Sequence, residues 1–291
     1  MPAVLQSIYR YPVKSMGGQT LTTTTVTAKG IPGDRAWAVR DQERGGIRGG
    51  KRFPELMSCA TRMLGDPSVD QPSPPVEIRC PDGTIIQSDG SQANAVLSEL
   101  VGSAVRLWPL VPEDQLDHYR RLPAEPGTDP EAALREVFAR TADEPLPDLS
   151  QFPPELFEYE SPPGTYFDAY PLLLLTTNAL ADMQRAAPDS QIDVRRFRPN
   201  LLFDLSFDGR FPESAFPEGQ WCGKTLRLGS AMLQVEMECP RCIMTTHGFS
   251  ELPRDPSIMR ALVQENGGNL GVYASVLEPG TVSVGDEVEI F

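Results

Sequence analysis

From Pro109 to Pro171 the sequence changes character. Prolines cluster there, at Pro145, Pro147, Pro153, Pro154, Pro162 and Pro163, among acidic residues. Each proline fixes φ and lacks an amide donor, so neither a long helix nor a central strand can run through such a stretch. The chain is therefore expected to fold in two parts joined by an irregular crossover, with a short helix over Ala132 to Arg140 inside it. The spacing places the parts at residues 1–125 and 126–291, the second including the proline-rich crossover over 126–168.

Both flanks read as short strands. Val4 to Val13, Leu21 to Thr27 and Arg35 to Arg40 are rich in aromatic and β-branched residues, and Lys14-Ser15-Met16-Gly17-Gly18 and Gly30-Ile31-Pro32-Gly33-Asp34 interrupt them. Val76 to Arg79 and Ile85 to Gln87 flank Pro81-Asp82-Gly83 as a hairpin. Ser91 to Val101 has helical spacing with Ser91 as its cap. Beyond the crossover, Leu172 to Thr176 reads as a buried strand. Asn178 to Ala187 follows as a helix capped by Thr177 or Asn178. Leu201 to Phe203, Thr225 to Leu228, Met232 to Met237, Leu270 to Val276 and Asp286 to Phe291 are further strands. Asp255-Pro256 opens a second helix that Gly267 closes. The expected class is α+β, mostly β with helices, the second part being barrel- or sandwich-like.

Hydrophobic residues make up 40% and charged residues 23% of the chain, which is a folded composition. The net charge of -14 argues against nucleic-acid binding by broad phosphate neutralisation and against docking on an anionic membrane. It leaves room for a small anion held by a few local arginines, because such contacts act at short range. Met1 to Ile8 shows no basic segment followed by a long apolar one, and the longest apolar run, Pro171 to Leu175, is too short for a bilayer, so neither a secretory leader nor a membrane span is expected. Five irregularly spaced cysteines do not make a disulfide framework. A cytoplasmic, reducing location with free thiols is the expectation.

Two of those cysteines and one of two histidines fall in Glu238-Cys239-Pro240-Arg241-Cys242-Ile243-Met244-Thr245-Thr246-His247-Gly248. The stretch suits a soft metal, a redox dithiol, a nucleophilic thiolate or plain structure. Structural zinc lacks a second cysteine pair, since Cys59, Cys80 and Cys222 are scattered. A thioredoxin-like dithiol should open a helix, whereas Ile243 to Thr246 reads as strand. Buried small side chains remain the plain alternative. Asp193-Val194-Arg195-Arg196-Phe197-Arg198-Pro199-Asn200 concentrates three guanidinium groups. Strand alternation puts Arg196 and Arg198 on one face, where they suit phosphate or carboxylate, or else pair with the chain's many acids. Tyr11-Pro12-Val13-Lys14-Ser15 and Gly33-Asp34-Arg35 each read alone as a turn with a surface cation.

Together, in this order, these pieces resemble the MOSC family, named for the C-terminal domain of the molybdenum cofactor sulfurase. Tyr11 to Ser15 and Gly33-Asp34-Arg35-Ala36-Trp37 resemble the MOSC N-terminal β-barrel domain. Phe197-Arg198-Pro199-Asn200 and Cys239-Pro240-Arg241-Cys242-Ile243-Met244-Thr245-Thr246 resemble the MOSC domain. The resemblance spans almost the whole chain. It implies a molybdenum cofactor between the two domains, with Cys242 as the metal's protein ligand; a thiolate is a suitably soft donor. It implies Lys14, Arg35 and Arg198 as cations on the pterin phosphate, with Ser15 and Asn200 as hydrogen-bonding partners. Arg196, Thr176, Thr177, Thr245 and Thr246 are further candidate contacts. Lys51 falls where relatives often carry arginine, and loses a bidentate fork. Cys239 is left as structural or as a sulfur acceptor. At family level the resemblance also brings pyridoxal phosphate binding.

The activity it implies is that of the amidoxime-reducing branch, mitochondrial and bacterial: reduction of small N-hydroxylated compounds to amine or amidine and water. His247 is a candidate proton shuttle, its alternative being a loop histidine. No cysteine follows Cys242, so no iron–sulfur centre is expected here, and electrons are expected from a separate electron-transfer protein and its reductase. The other readings are a sulfur carrier using a persulfide on Cys242 or Cys239, and a cofactor-binding module without turnover.

Overall fold

The computed structural model describes residues 3–124, 126–205 and 215–291. In chain order its strands are β1 (Ala3–Arg10), β2 (Gln19–Leu21), β3 (Thr23–Val26), β4 (Trp37–Asp41), β5 (Ile47–Arg48), β6 (Ala60–Met63), β7 (Val76–Arg79), β8 (Ile85–Gln87) and β9 (Val105–Pro109), followed after the crossover by β10 (Leu172–Thr176), β11 (Leu201–Leu205), β12 (Thr225–Leu228), β13 (Ala231–Pro240), β14 (Asn269–Glu278), β15 (Gly280–Ser283) and β16 (Val288–Ile290). The helices are α1 (Ala93–Val101), α2 (Leu116–Tyr119), α3 (Pro130–Val137), α4 (Glu155–Glu158), α5 (Thr177–Ala186) and α6 (Ser257–Asn266).

Eight strands form one sheet in the order β16-β12-β13-β14-β10-β11-β1-β2. Its ends meet. Val4 bridges Glu287, the Leu5 amide donates to the Asp286 carbonyl at 2.9 Å, and the Gly285 amide donates to the Leu5 carbonyl at 2.8 Å. The sheet thus closes into a barrel through β1 and the segment leading into β16, leaving β2 as an outer flap. Closure leaves fewer free edges for pairing with other chains. The barrel interior is filled by Leu5, Ile8, Leu174, Phe203, Leu233 and Val272 among others. Their alternation along each strand follows from the pleat. β10 is buried at all five positions because α5 and α6 cover its outer face with Met183, Ile258, Met259 and Leu262.

The first strand therefore sits in space with the last ones, Ala3 lying opposite Leu205. Of the remaining N-terminal strands, β3 pairs with β15 and the others make two small sheets, β5-β4-β9 and β6-β7-β8, which share with α1 a second core around Trp37, Leu56, Ile78 and Leu97.

Helix starts differ by a residue or two from those expected. The cap of α1 is Gln92, not Ser91, and makes no side-chain bond; Gly102 at φ 64° stops the helix. α5 begins at Thr177 because β10 runs straight into it, and the Thr176 hydroxyl accepts from the Ala179 amide at 3.0 Å. The crossover holds α2, α3 and α4, the expected helix being α3, capped by Asp129 with Pro130 in its first turn. Among the described residues no helix is long and apolar enough to cross a membrane.

Candidate functional site

Loops at the mouth of the barrel and the edge of the N-terminal body enclose a cavity of about 370 Å³. Lys14 and Ser15 come from the loop after β1, Arg35 from the turn before β4, and Lys51 from the loop after β5. Arg198 and Asn200 precede β11, and Cys239 to Cys242 end β13. Among the described residues, five arginines and two lysines line the cavity, against one carboxylate, Asp168. On a chain of net charge -14 this is a local inversion of sign.

Among the described residues, six non-glycine residues have left-handed backbones. Three of them line this cavity: Ser15 (φ 70°), Arg35 (φ 49°) and Arg198 (φ 56°). Such conformations cost on the order of 1–3 kcal/mol each and persist where the surroundings over-determine them. Here they do. The Arg35 amide donates to the Tyr11 carbonyl at 2.6 Å, and the Tyr11 amide donates to Asp34 Oδ1 at 2.7 Å. Asn200 Nδ2 donates to Asp34 Oδ2 at 3.0 Å, and Asn200 Oδ1 accepts from the Leu173 amide at 3.2 Å. Asp34 also pairs with the Arg35 guanidinium. Ser15 Oγ accepts from the Gly50 amide at 2.8 Å. A Cβ on Gly49 would lie 2.4 Å from that oxygen, so only glycine fits there. Ser15 and Asn200 thus act here as positioners of the loops.

Arg198 stacks 4.3 Å from the Tyr11 ring and donates through Nη1 to the Met16 carbonyl at 2.6 Å. Its Nη2 is buried with no partner. Burial pushes its pKa down to about 10, against the pull of Tyr11. Lys14 donates to Asp168 Oδ1 at 2.6 Å and to the Tyr166 carbonyl at 2.7 Å. Burial opposes ionisation of Asp168, yet Lys14, Lys51 and Arg35 outweigh it and hold its carboxyl well below the usual range. Burial likewise disfavours the charge on Lys51, but Cys242 and Asp168 overcome that and raise its pKa. Lys51 and Cys242 line the same cavity.

Cys242 is partly open and packs on Met57, Met244 and Phe249. Cys239 is buried; burial raises its pKa, and Arg241 Nη1 lies 3.1 Å from its sulfur. Ile243–Thr246 forms a 3₁₀ turn, not a strand, because the Thr245 and Thr246 hydroxyls fold back on the carbonyls of Cys242 (3.0 Å) and Ile243 (2.8 Å). Both threonines are buried and absent from the cavity lining.

The expected shared strand face for Arg196 and Arg198 does not exist. Val194–Arg196 is a 3₁₀ turn, and the left-handed Arg198 reverses the chain direction. The Arg196 guanidinium gives four of its five N–H donors to the carbonyls of Gln191, Thr245, His247 and Pro253, so it braces the cysteine loop. Thr176 caps α5 and donates to Glu218, and Thr177 bonds Asp204. His247 is not a lining residue; its Nε2 is buried and unpaired, and burial lowers its pKa. Asp168, Arg241 and Tyr273 line the cavity without having been singled out in the sequence. Their only signal was position, Asp168 just before a buried strand and Arg241 inside the cysteine pair.

Two family models match the chain. The MOSC N-terminal beta barrel domain matches residues 2–105, and the MOSC domain matches residues 163–289. Mitochondrial amidoxime reducing component 2 of Bos taurus is 23% identical over 98% of this chain and 82% of its own length. Its Homo sapiens counterpart is 29% identical over 42% of this chain and 38% of its own. Among solved structures, the YuaD protein from Bacillus subtilis aligns over 100% of this chain and 96% of that one, at 14% identity and a TM-score of 0.43. YiiM from Escherichia coli aligns over 42% of this chain and 54% of its own, at 21% identity and a TM-score of 0.31.

Proposed function

This chain belongs to the MOSC family, and from that premise we propose that it seats a molybdenum cofactor in the cavity and reduces N-hydroxylated compounds to amine or amidine and water. The family at large is associated with molybdenum-cofactor binding, and the relatives named amidoxime reducing components point to a reductase. One observation supports the reading best: a partly open thiol, Cys242, shares one cavity with a cluster of cations on an acidic protein. The donor set fits an anionic, sulfur-accepting group. Arg198 Nη2 is a buried donor lacking an acceptor, and guanidinium forks suit phosphate oxygens.

When bound, the cofactor supplies the metal and the two-electron chemistry that breaks an N–O bond. The protein's part is to hold and to exclude. Cys242 is the residue whose sulfur would hold the metal, with Lys51 lining the same cavity and the Met57–Met244–Phe249 cluster packed against it. Arg35 and Arg198 would take the anionic end of the cofactor, and Lys14, fixed by Asp168, would flank it. Asp168 stays ionised, so it is a counter-charge and not a proton donor. Electrons come from a separate protein, as the word "component" in the relatives' names would fit.

The test is Cys242→Ala in the full chain. Wild type should carry molybdenum near one atom per chain and, with an added reductase and electron carrier, turn over benzamidoxime. The variant should drop to background in both. Turnover retained by the variant, or a wild type without molybdenum, sinks the proposal. A second reading, a sulfur carrier, draws support from Cys239 beside Arg241 in the same cavity. A labile gain of one sulfur atom in the native mass spectrum, without bound pterin, would favour it.

A further inference from the structure

The cavity has two unlike walls. One is cationic; the other comes from the crossover, which adds Arg121 and Asp168 but contributes mostly apolar side chains. α3 presents Leu134, Val137 and Phe138 to the cavity at i, i+3 and i+4, one face of a helix. That face covers no core: none of the helix's residues is buried. Phe152, Leu156 and Phe157 extend the same wall, and Phe157 is 58% exposed. None of these six side chains joins any of the hydrophobic clusters that hold the fold together. A helix normally buries its apolar stripe against a core. Here the stripe is spent on an open cavity.

The wall is also held in place. Arg260 Nη1 donates to Glu144 Oε2 at 2.5 Å just past α3. Arg121 Nη2 donates to the Leu156 carbonyl at 3.0 Å, and Lys14 ties the far end through Asp168 and the Tyr166 carbonyl. Phe152 meets the edge of Tyr273, ring centroids 6.4 Å apart, and Tyr273 lines the cavity together with Cys239. The apolar wall is therefore continuous with the cysteine-bearing side of the cavity.

We propose that this wall recognises the body of the substrate. The site selects N-hydroxylated compounds carrying an aromatic or bulky alkyl group over small polar ones. The cavity lies in the size range of small-molecule sites, and its cations and its crossover side chains divide the work of holding an anionic cofactor and an apolar substrate. The proposal rests on the reductase reading for the reacting group, but the apolar preference is a binding property that needs no turnover.

The experiment is calorimetric titration of the full, folded protein with benzamidoxime and with acetamidoxime, without reductant, for wild type and for Phe157→Ser and Val137→Ser. Wild type should bind benzamidoxime at least ~10-fold more tightly, as expected for an apolar group entering an apolar pocket. Each variant should shrink that ratio while its unfolding midpoint stays near wild type; Phe157 is exposed enough that the fold does not depend on it. Equal wild-type affinities, or a ratio unchanged in both variants, overturns the proposal. A preference that persists in a protein with no N–O reductase activity overturns the reductase reading alone and supports the apolar wall.

Discussion

Arg198 and Leu134 line the same cavity, and the chain holds them in different ways. Arg198 sits on a left-handed backbone, stacks on Tyr11, and bonds a carbonyl 182 positions away in sequence. The residues it shares the cationic wall with arrive from four other segments, those of Lys14, Arg35, Lys51 and Cys242. Leu134 sits on a two-turn helix with no buried residue, in one continuous segment anchored near its ends. The difference follows from the forces involved. Charge recognition depends steeply on distance and direction in a low dielectric, so its donors must be preorganised. Apolar contact is non-directional and scales with area, so the wall that supplies it can be built loosely. Changes on the cationic wall should therefore act on cofactor binding, and changes on the apolar wall on substrate preference.

The largest effect expected from this contrast is that of Arg198→Ala on cofactor occupancy. A charge-assisted hydrogen bond is worth about 1.5–3 kcal/mol, so occupancy at limiting cofactor should fall roughly 10- to 100-fold. Stability of the apoprotein should scarcely move. Losing the Met16 hydrogen bond and the Tyr11 stack costs about 2–4 kcal/mol. Removing a guanidinium whose burial lowers its pKa to about 10 returns about 3 kcal/mol. Molybdenum content and denaturant unfolding of the apo form check the two halves; a large stability loss with unchanged occupancy would make Arg198 a structural residue.

Asp168→Asn should have a smaller effect, with a defined pH dependence. The carboxyl's folded pKa lies below its unfolded value, so its stabilisation is complete above the ordinary carboxylate range, near pH 4, and is lost as pH falls below it. The variant should therefore lower Tm at pH 7 by about 2–4 °C and show a flatter acid limb. An acid limb identical to wild type would mean that Lys14 is held by the Tyr166 carbonyl and the Ser161 hydroxyl without help from Asp168.

The cationic wall was far more legible in the sequence than the apolar one. Lys14, Arg35, Arg198 and Cys242 stand in short motifs whose turn residues and chemistry belong together. Arg196 was misplaced because two-residue alternation presumes an extended chain, whereas Val194–Arg196 turns and Arg198 is left-handed. Asp168 carried no motif; only the fold brings it to Lys14, 154 positions away. Individual strands could be read from their composition. The closure of the barrel could not, since it depends on Ala3 finding Leu205 and Val4 finding Glu287. The proline-rich stretch read as a linker because prolines exclude long regular elements. What prolines do not reveal is where the leucines and phenylalanines between them point.

The smallest predicted effect is also the sharpest test of that apolar wall. Leu134→Ala and Leu174→Ala make the same chemical change in two places. Leu174 is fully buried inside the barrel, so truncating it leaves a cavity and should cost about 2–5 kcal/mol of unfolding free energy. Leu134 is half-buried at the edge of an existing cavity and joins no core cluster, so its truncation should cost less than about 1 kcal/mol. Paired denaturant titrations at one pH measure both. If the two losses match, the apolar stripe of α3 is packed as core and is not free to meet a ligand. If Leu134→Ala is nearly silent in stability yet weakens benzamidoxime binding, the stripe is retained for what it touches and not for what it folds.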